Sequence, residues 1–311
     1  MAFIDQTDAA SLIPQEVSNE IIKAVPEYSY ALQLMKKLPN MSKRQRRIPV
    51  MASLATASFI NKGTTNTPAD KKPTTKLAWE NKFINAEEIA AIIPVPEDII
   101  EDADYDIWGE CKTALTEAFG VAIDQAIFFG TGAPTSWPDD IITGATSAGN
   151  VVALGTGEDL LQDVSSIMAS VESDGYDVTG FIAPITIKAQ LRDLRDALGR
   201  PVFMESFQGP VTYTLFGAPI QFVKSGMWNI SKAQLVAGDF QSAVYAIRQD
   251  ITFKILTEGV IQDDNGYIIY NLAQQDMLAI RAVMRLGWQV PNPVNRLQPT
   301  KANRFPFGII T

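Results

Sequence analysis

The 311-residue chain contains no histidine. That absence removes the commonest general base, the Ser-His-Asp and Cys-His arrangements, and most zinc and iron sites. Chemistry run by carboxylates or lysines alone stays open. A single cysteine, Cys111, excludes an internal disulfide and fits a reducing cytoplasm. No apolar run approaches the roughly 20 residues needed to span a bilayer. The opening MAFIDQTDAASLIPQEV has neither a basic n-region nor a long apolar core, so no signal peptide is expected. Basic residues are in deficit, 26 against 35 acids, for a net charge of −9. Such a chain gains little from counterion release on DNA or RNA, which argues against a general nucleic-acid binder.

What is present is a large apolar fraction, 46%, with 20% charged residues. That composition supports a real core, divided between two domains, and is neither disordered nor membrane-like. The stretch Tyr105 to Phe129, YDIWGECKTALTEAFGVAIDQAIFF, organises the chain. Ile107, Cys111, Leu115, Phe119, Ala122, Ile123, Ala126 and Ile127 recur at steps of three and four, the spacing of one helical stripe. Acids cluster at its start, Glu101, Asp102, Asp104 and Asp106, where the helix dipole favours them, and Gly130 stands at the C-cap. About 25 residues make a rod of some 37 Å, a spine for other elements.

Before the spine, residues 1–35 read as an extended arm with one short helix between Pro14 and Pro26, where Val17, Ile21 and Ile22 form too small an apolar face to bury the arm alone. Lys36 to Arg47 carries six basic residues and no acid. It reads either as a solvated turn or as a surface that meets a neighbour's acids, with nucleic acid a minor alternative. Arg47 to Ile60 and Leu77 to Val95 read as two long strands joined by the Gly-, Pro- and Lys-rich NKGTTNTPADKKPT. Leu77, Trp79 and Phe83 share one face by period-two spacing. An isolated two-stranded ribbon is marginal in water, so this one is expected to be stabilised by a partner or to be mobile until it finds one.

Glu97 to Glu110 holds seven acids and no base. The spacing is that of helix starts rather than of an EF-hand, so no metal site is expected. GTGAP after the spine lacks the GK[ST] of a phosphate loop, and nucleotide binding is discarded. A second, mixed α/β domain follows. It has a helix from a Thr156 N-cap with Asp159 three residues on, a strand Val178–Ala183, a helix from Pro184 with Leu191, Leu194 and Leu198 stopped by Gly199, and a hairpin of 211–215 with 220–223. From Leu235 strands return: LVAGDFQSAVYAI, the alternating Ile251, Phe253 and Ile255, and Met277 to Val290. They need the spine helix as cover, so the first domain is discontinuous. Residues 291–311, rich in Pro and Asn, read as a surface tail.

The order of arm, long ribbon, spine ending in FFGTGAP, inserted α/β domain, then TLFGAPI, LVAGDFQSAVYAIRQDITFKI and MLAIRAVMRLGWQV resembles the major capsid protein of tailed bacteriophages, the Hong Kong 97-type fold, over essentially the whole chain. The resemblance implies an α+β fold. Its parts are an N-terminal arm (1–43), an extended loop (44–80), a peripheral domain in two parts (81–140 and 235–295), an axial domain (141–234) and a C-terminal tail (296–311). It implies a structural protein, not an enzyme, with no cofactor. Many copies would assemble as hexamers and pentamers into an icosahedral virion head around double-stranded DNA without sequence-specific binding. Assembly would take place in the host bacterial cytoplasm, with a portal protein and a separate scaffolding or decoration protein as further partners and no membrane. The chain starts directly at the arm, with Met1, and lacks the charged helical scaffolding segment of many members; cleavage is not expected. Lys62, Lys71 and Lys72 at the loop tip have no matching crosslink motif, and crosslinking is not expected. The expected subunit-interface residues are Arg44, Arg46, Arg47, Phe59, Trp79, Phe83, Glu101, Asp102 and Asp104, with Gly109 and Gly120 as hinges of a spine that bends in a precursor shell. An encapsulin-like nanocompartment is the nearest alternative; a carboxylate-dependent enzyme and a tail or decoration protein are the others.

Overall fold

The computed structural model describes residues 29–60, 62, 71–72, 74–102, 106–194, 213–263 and 265–311. In chain order the first elements are α1 (Tyr30–Leu34), β1 (Lys36–Lys37), β2 (Gln45–Ser53), β3 (Ala78–Asn85), β4 (Glu87–Pro96), α2 (Glu97–Asp102), α3 (Ile107–Phe129) and α4 (Ile141–Ala148). Then come β5 (Val151–Val152), α5 (Leu160–Ser173), β6 (Gly180–Pro184), α6 (Ile187–Asp193), β7 (Thr214–Leu215), β8 (Ala218–Val223) and β9 (Leu235–Gly238). The chain ends with β10 (Val244–Leu256), β11 (Val260–Gln262), β12 (Ile268–Asn271), β13 (Met277–Gln289) and β14 (Phe307–Ile310). Helices and sheets are segregated in an α+β arrangement. The described residues divide into two compact units, one of 92–114 with 254–281 and one of 27–91, 115–253 and 282–311. Val17, Ile21, Ile22, Asp104, Tyr105, Leu198, Gly199 and Val211 lie outside the described residues.

The larger unit holds a six-stranded sheet in the order β5-β14-β9-β6-β8-β7. The apolar stripe of α5, Leu160, Val164 and Ile167, packs with Ile187 and Leu191 of α6 on Phe181, Ala183, Leu235, Ala237 and Ile310. The helix start falls three residues after the expected Thr156. Asp159 caps α5 by accepting from Gln162 N (2.9 Å), whereas the Thr156 hydroxyl donates to Ala153 O (2.6 Å) and serves a turn. The β7–β8 hairpin turns on Phe216 and Gly217, both at positive φ (49° and 83°), which moves the second strand's start forward to Ala218.

The expected surface tail is the main correction. Residues 307–310 form β14, fully buried, antiparallel to β9 from Phe307↔Gly238 to Ile310↔Leu235 and parallel to β5. Pro and Asn upstream disguise a four-residue strand buried on both faces, which has no alternation to read. Buried Asn150 and Asp174 lock the approach: Asn150 Nδ2 donates to Asp174 Oδ2 (2.7 Å) and Phe305 O (3.2 Å), and Phe305 N donates to Asp174 Oδ2 (3.0 Å). Nor is LVAGDFQSAVYAI one strand. β9 lies inside the six-stranded sheet between β14 and β6, Asp239 caps a 3-10 turn at Phe240–Ser242 through Gln241 N (3.0 Å), and β10 starts afterwards in another sheet.

That second sheet has four strands in the order β1-β10-β13-β4. β2 and β3 form a separate antiparallel ribbon, Gln45↔Asn85 through Ser53↔Ala78. The second ribbon strand was expected to run from Leu77 to Val95. It divides at buried Ala86, whose N–H turns to Arg44 O (2.8 Å), so that β3 serves the ribbon and β4 the sheet. β4 runs through Pro94 and ends at Pro96, one residue past the expected Val95. Gly287 sits where β13 passes this joint: a Cβ there would lie 2.2 Å from Asn85 O. The helix α3 is continuous for 23 residues, about 34 Å. Leu115, Phe119, Ile123, Ala126 and Ile127 are buried as their spacing predicts. Gly130 (φ 67°) ends the helix, and Phe129 meets Trp228 edge to face at 5.3 Å.

Candidate assembly surfaces

Alternation along β3 gives the ribbon two different faces. Trp79 and Phe83 point one way, opposite Met51 and Arg47, and are exposed to 63% and 41%; Leu77 precedes them at 43%. Phe59, beyond the end of β2, is fully exposed. Glu80, Lys82 and Ile84 point the other way, and Ile84 is buried with Met41, Ala86, Val244 and Ala246.

On that second face the ribbon root is held by its own chain, which corrects the expectation that only a partner can support it. Val294 N donates to Met51 O (3.0 Å), Arg296 Nη2 to Ala55 O (2.8 Å) and Gln289 Nε2 to Phe83 O (2.9 Å). Lys301 Nζ reaches both Glu80 oxygens (2.6 and 2.7 Å). The Lys301 hydrogen bond holds the Glu80 carboxyl below its usual range, against a smaller opposing effect of burial. These partners lie 200 or more residues along the chain, so no local pattern reveals them. Ser53 Oγ donates across the ribbon to Lys76 O (3.1 Å), and beyond Ala55 the described ribbon is tied across itself by Thr56 N to Thr75 Oγ1 (3.0 Å). What stays uncovered is the aromatic face along the ribbon and the ribbon end beyond Thr56.

The basic run is partly committed within the chain. Arg44 Nη2 grips Glu87 at 2.9 and 3.1 Å, and Arg46 donates to Pro39 O (2.7 Å) and Asn40 O (3.1 Å). Ser136, and after it Arg44, hold the Glu87 carboxyl below its usual range. Arg47 stays exposed beside Phe83. In the other unit Glu101 and Asp102 are exposed at the end of α2; Asp104 lies outside the described residues. Gly109 leaves room for the α3 cap: Asp106 Oδ1 accepts from Gly109 N at 3.0 Å, and an added Cβ would lie 2.5 Å from Asp106 Oδ2. Gly120 is buried mid-helix, and α3 is unbroken at both glycines. Lys62, Lys71 and Lys72 are exposed.

Two features escaped the sequence reading. Asp124, 1% exposed in α3, accepts from Ser29 Oγ (2.6 Å), Tyr30 N (2.8 Å) and Ala31 N (3.0 Å), fixing the start of α1 to the spine. In the smaller unit the β11–β12 hairpin exposes Val260, Tyr267, Ile268, Ile269 and Tyr270. Its lack of alternation hid a surface apolar on both faces. Among the described residues no group of acids or Cys111 could hold a metal, and no helix is long and apolar enough to cross a membrane. Burial pushes the Cys111 thiol up, away from the reactive thiolate.

A strapped ribbon with an aromatic face, a continuous spine and exposed apolar tips define a structural, self-associating class of protein. The model of the phage capsid family matches residues 9–299. The chain belongs to the phage capsid family and is a phage major capsid protein. It is 25% identical over 278 residues to the major capsid protein of Staphylococcus phage 80alpha, covering 88% of this chain and 80% of that protein. Among solved structures, one from Microbacterium phage Oxtober96 has TM-score 0.85 and 34% identity, covering 100% of this chain and 99% of that one. One from Mycobacterium phage Cain has TM-score 0.84 and 28% identity, covering 100% and 98%. The fold is the Hong Kong 97 type.

Proposed function

We infer that this chain builds a closed icosahedral head from hexamers and pentamers around double-stranded DNA. The observation that carries this reading is the ribbon face of Leu77, Trp79 and Phe83, with Phe59 beyond it, exposed in the single chain. Laid on an adjacent copy, each large apolar side chain contributes about 1.5–3 kcal/mol on full burial, so association supplies the stability the ribbon end lacks. A head-to-tail contact whose rotation closes gives rings, the hexamers and pentamers of this reading. Arg47 beside Phe83 would meet carboxylates such as Glu101 and Asp102 of a neighbour. Exposed pairs contribute only about 0–1 kcal/mol each, so they fix register more than affinity. The net charge of −9 keeps the wall from adhering to the packaged polyanion.

Assembly in the host bacterial cytoplasm, a portal protein at one vertex and separate scaffolding or decoration proteins belong to the same reading. So does a precursor shell in which α3 bends at Gly109 or Gly120, each costing roughly 1 kcal/mol of helix stability against alanine. Electron microscopy of the purified protein tests the proposal. Closed hollow particles are expected, and a population of monomers and small oligomers under every assembly condition would refute it.

A further inference from the structure

A cavity of about 480 Å³ opens beside the ribbon root. Its lining includes Lys82 of β3, Asp139 just before α4, and Lys301, Arg304 and Phe305 of the C-terminal segment. Three cationic residues therefore line one space. Two carboxylates are in reach, and Glu80 is already held by Lys301 through both oxygens. The other, Asp139, stands on the wall.

Arg304 is 3% exposed, yet among the described residues it donates to neutral acceptors, Asn292 Oδ1 (2.8 Å), Gln298 O (2.5 Å) and Asn292 O (3.3 Å), with the Tyr176 hydroxyl beside it. Lys82 has no ion-pair partner within 4.0 Å among the described residues. Burial, and then Lys301 beside it, push the Lys82 ammonium below the ordinary lysine value; Glu80 and Asp139 offset this incompletely. A withdrawn cation whose counter-charge falls short is costly, and two cations so placed on one cavity favour a bound anion.

We propose that this cavity is an oxyanion site, taking a free multivalent anion of the phosphate class between Lys82 on the ribbon and Lys301 and Arg304 on the C-terminal segment. Ammonium and guanidinium donors suit such a ligand, through charge-assisted hydrogen bonds. The bound anion ties β3 to the segment that already grips it through Glu80, and so stiffens the ribbon root. Every lining residue comes from one chain, so the site does not depend on the assembly reading.

The test is calorimetric titration of inorganic phosphate into the purified full chain, against chloride at matched ionic strength, with hydrogen exchange followed over 79–85. A saturable one-site heat and slower exchange are expected. Lys82→Met should weaken binding about tenfold, the loss of one charge-assisted contact, and Asp139→Asn should tighten it. In phosphate-free buffer Lys82→Met should not lower the melting temperature, because it removes an unpaired cation; this separates lost binding from lost folding. No saturable heat, or equal affinity in Lys82→Met, overturns the proposal. Phosphate binding retained in assembled particles supports it. Binding confined to unassembled protein overturns the free-anion assignment and gives the site to a carboxylate of a neighbouring copy.

Discussion

Glu80 and Lys301 show how much one exposed pair can do by position rather than by energy. The pair is half exposed and contributes about 0–1 kcal/mol to folding. It nonetheless joins the ribbon to a segment 221 residues away. Lys301→Met should leave the global unfolding midpoint nearly unchanged while exchange over 47–53 and 79–85 speeds up by about fivefold, as local opening does. The pH dependence follows from the Glu80 and Glu87 carboxyls, both held below the ordinary 4.5. Their folded values are depressed, so their stabilisation is complete above about 4.5 and is lost as pH falls through the lower folded values. With no histidine to titrate between pH 5 and 8, ribbon-root protection corrected for intrinsic exchange should be flat there and decline only in acid. Asp124 gives a larger effect. Asp124→Ala strands buried donors at the start of α1 and should cost about 3 kcal/mol in denaturant unfolding; an unaltered midpoint would remove its anchoring role. No reading of its own helix could single out Asp124, because its partners Ser29 to Ala31 lie more than 90 residues upstream.

Elements differ in how openly the residues declare them. The spine was legible because 23 residues keep one stripe and end on a glycine in the left-handed region. The ribbon was legible through period two, which also placed Trp79 and Phe83 on a common face. Its root was not, since the straps from 289–301 are backbone and long-range polar contacts that leave no periodic trace. β14 failed for a related reason: four consecutive buried residues look the same whether they end a core strand or a tail. A direct consequence is that deletion of 305–311 should not behave as trimming. It removes a strand between β5 and β9 and should yield insoluble protein or one lacking native circular dichroism; a soluble, fully folded deletion product would contradict the topology.

At the scale of the molecule, folding and assembly share the work. The larger unit has its own core, whereas the ribbon exposes its aromatic face. Trp79→Ala with Phe83→Ala should therefore leave subunit stability almost unchanged and raise the concentration needed for shells at least about tenfold. Equal loss of folding and assembly would mean those side chains serve the subunit. Where the distal ribbon finds its stability decides the matter, and hydrogen exchange over 54–60 and 74–77 in dilute subunits and in intact shells measures this directly. Near-unprotected amides in the subunit and strong protection in the shell are the predicted result. Firm protection already present in the lone subunit, unchanged on assembly, would contradict it.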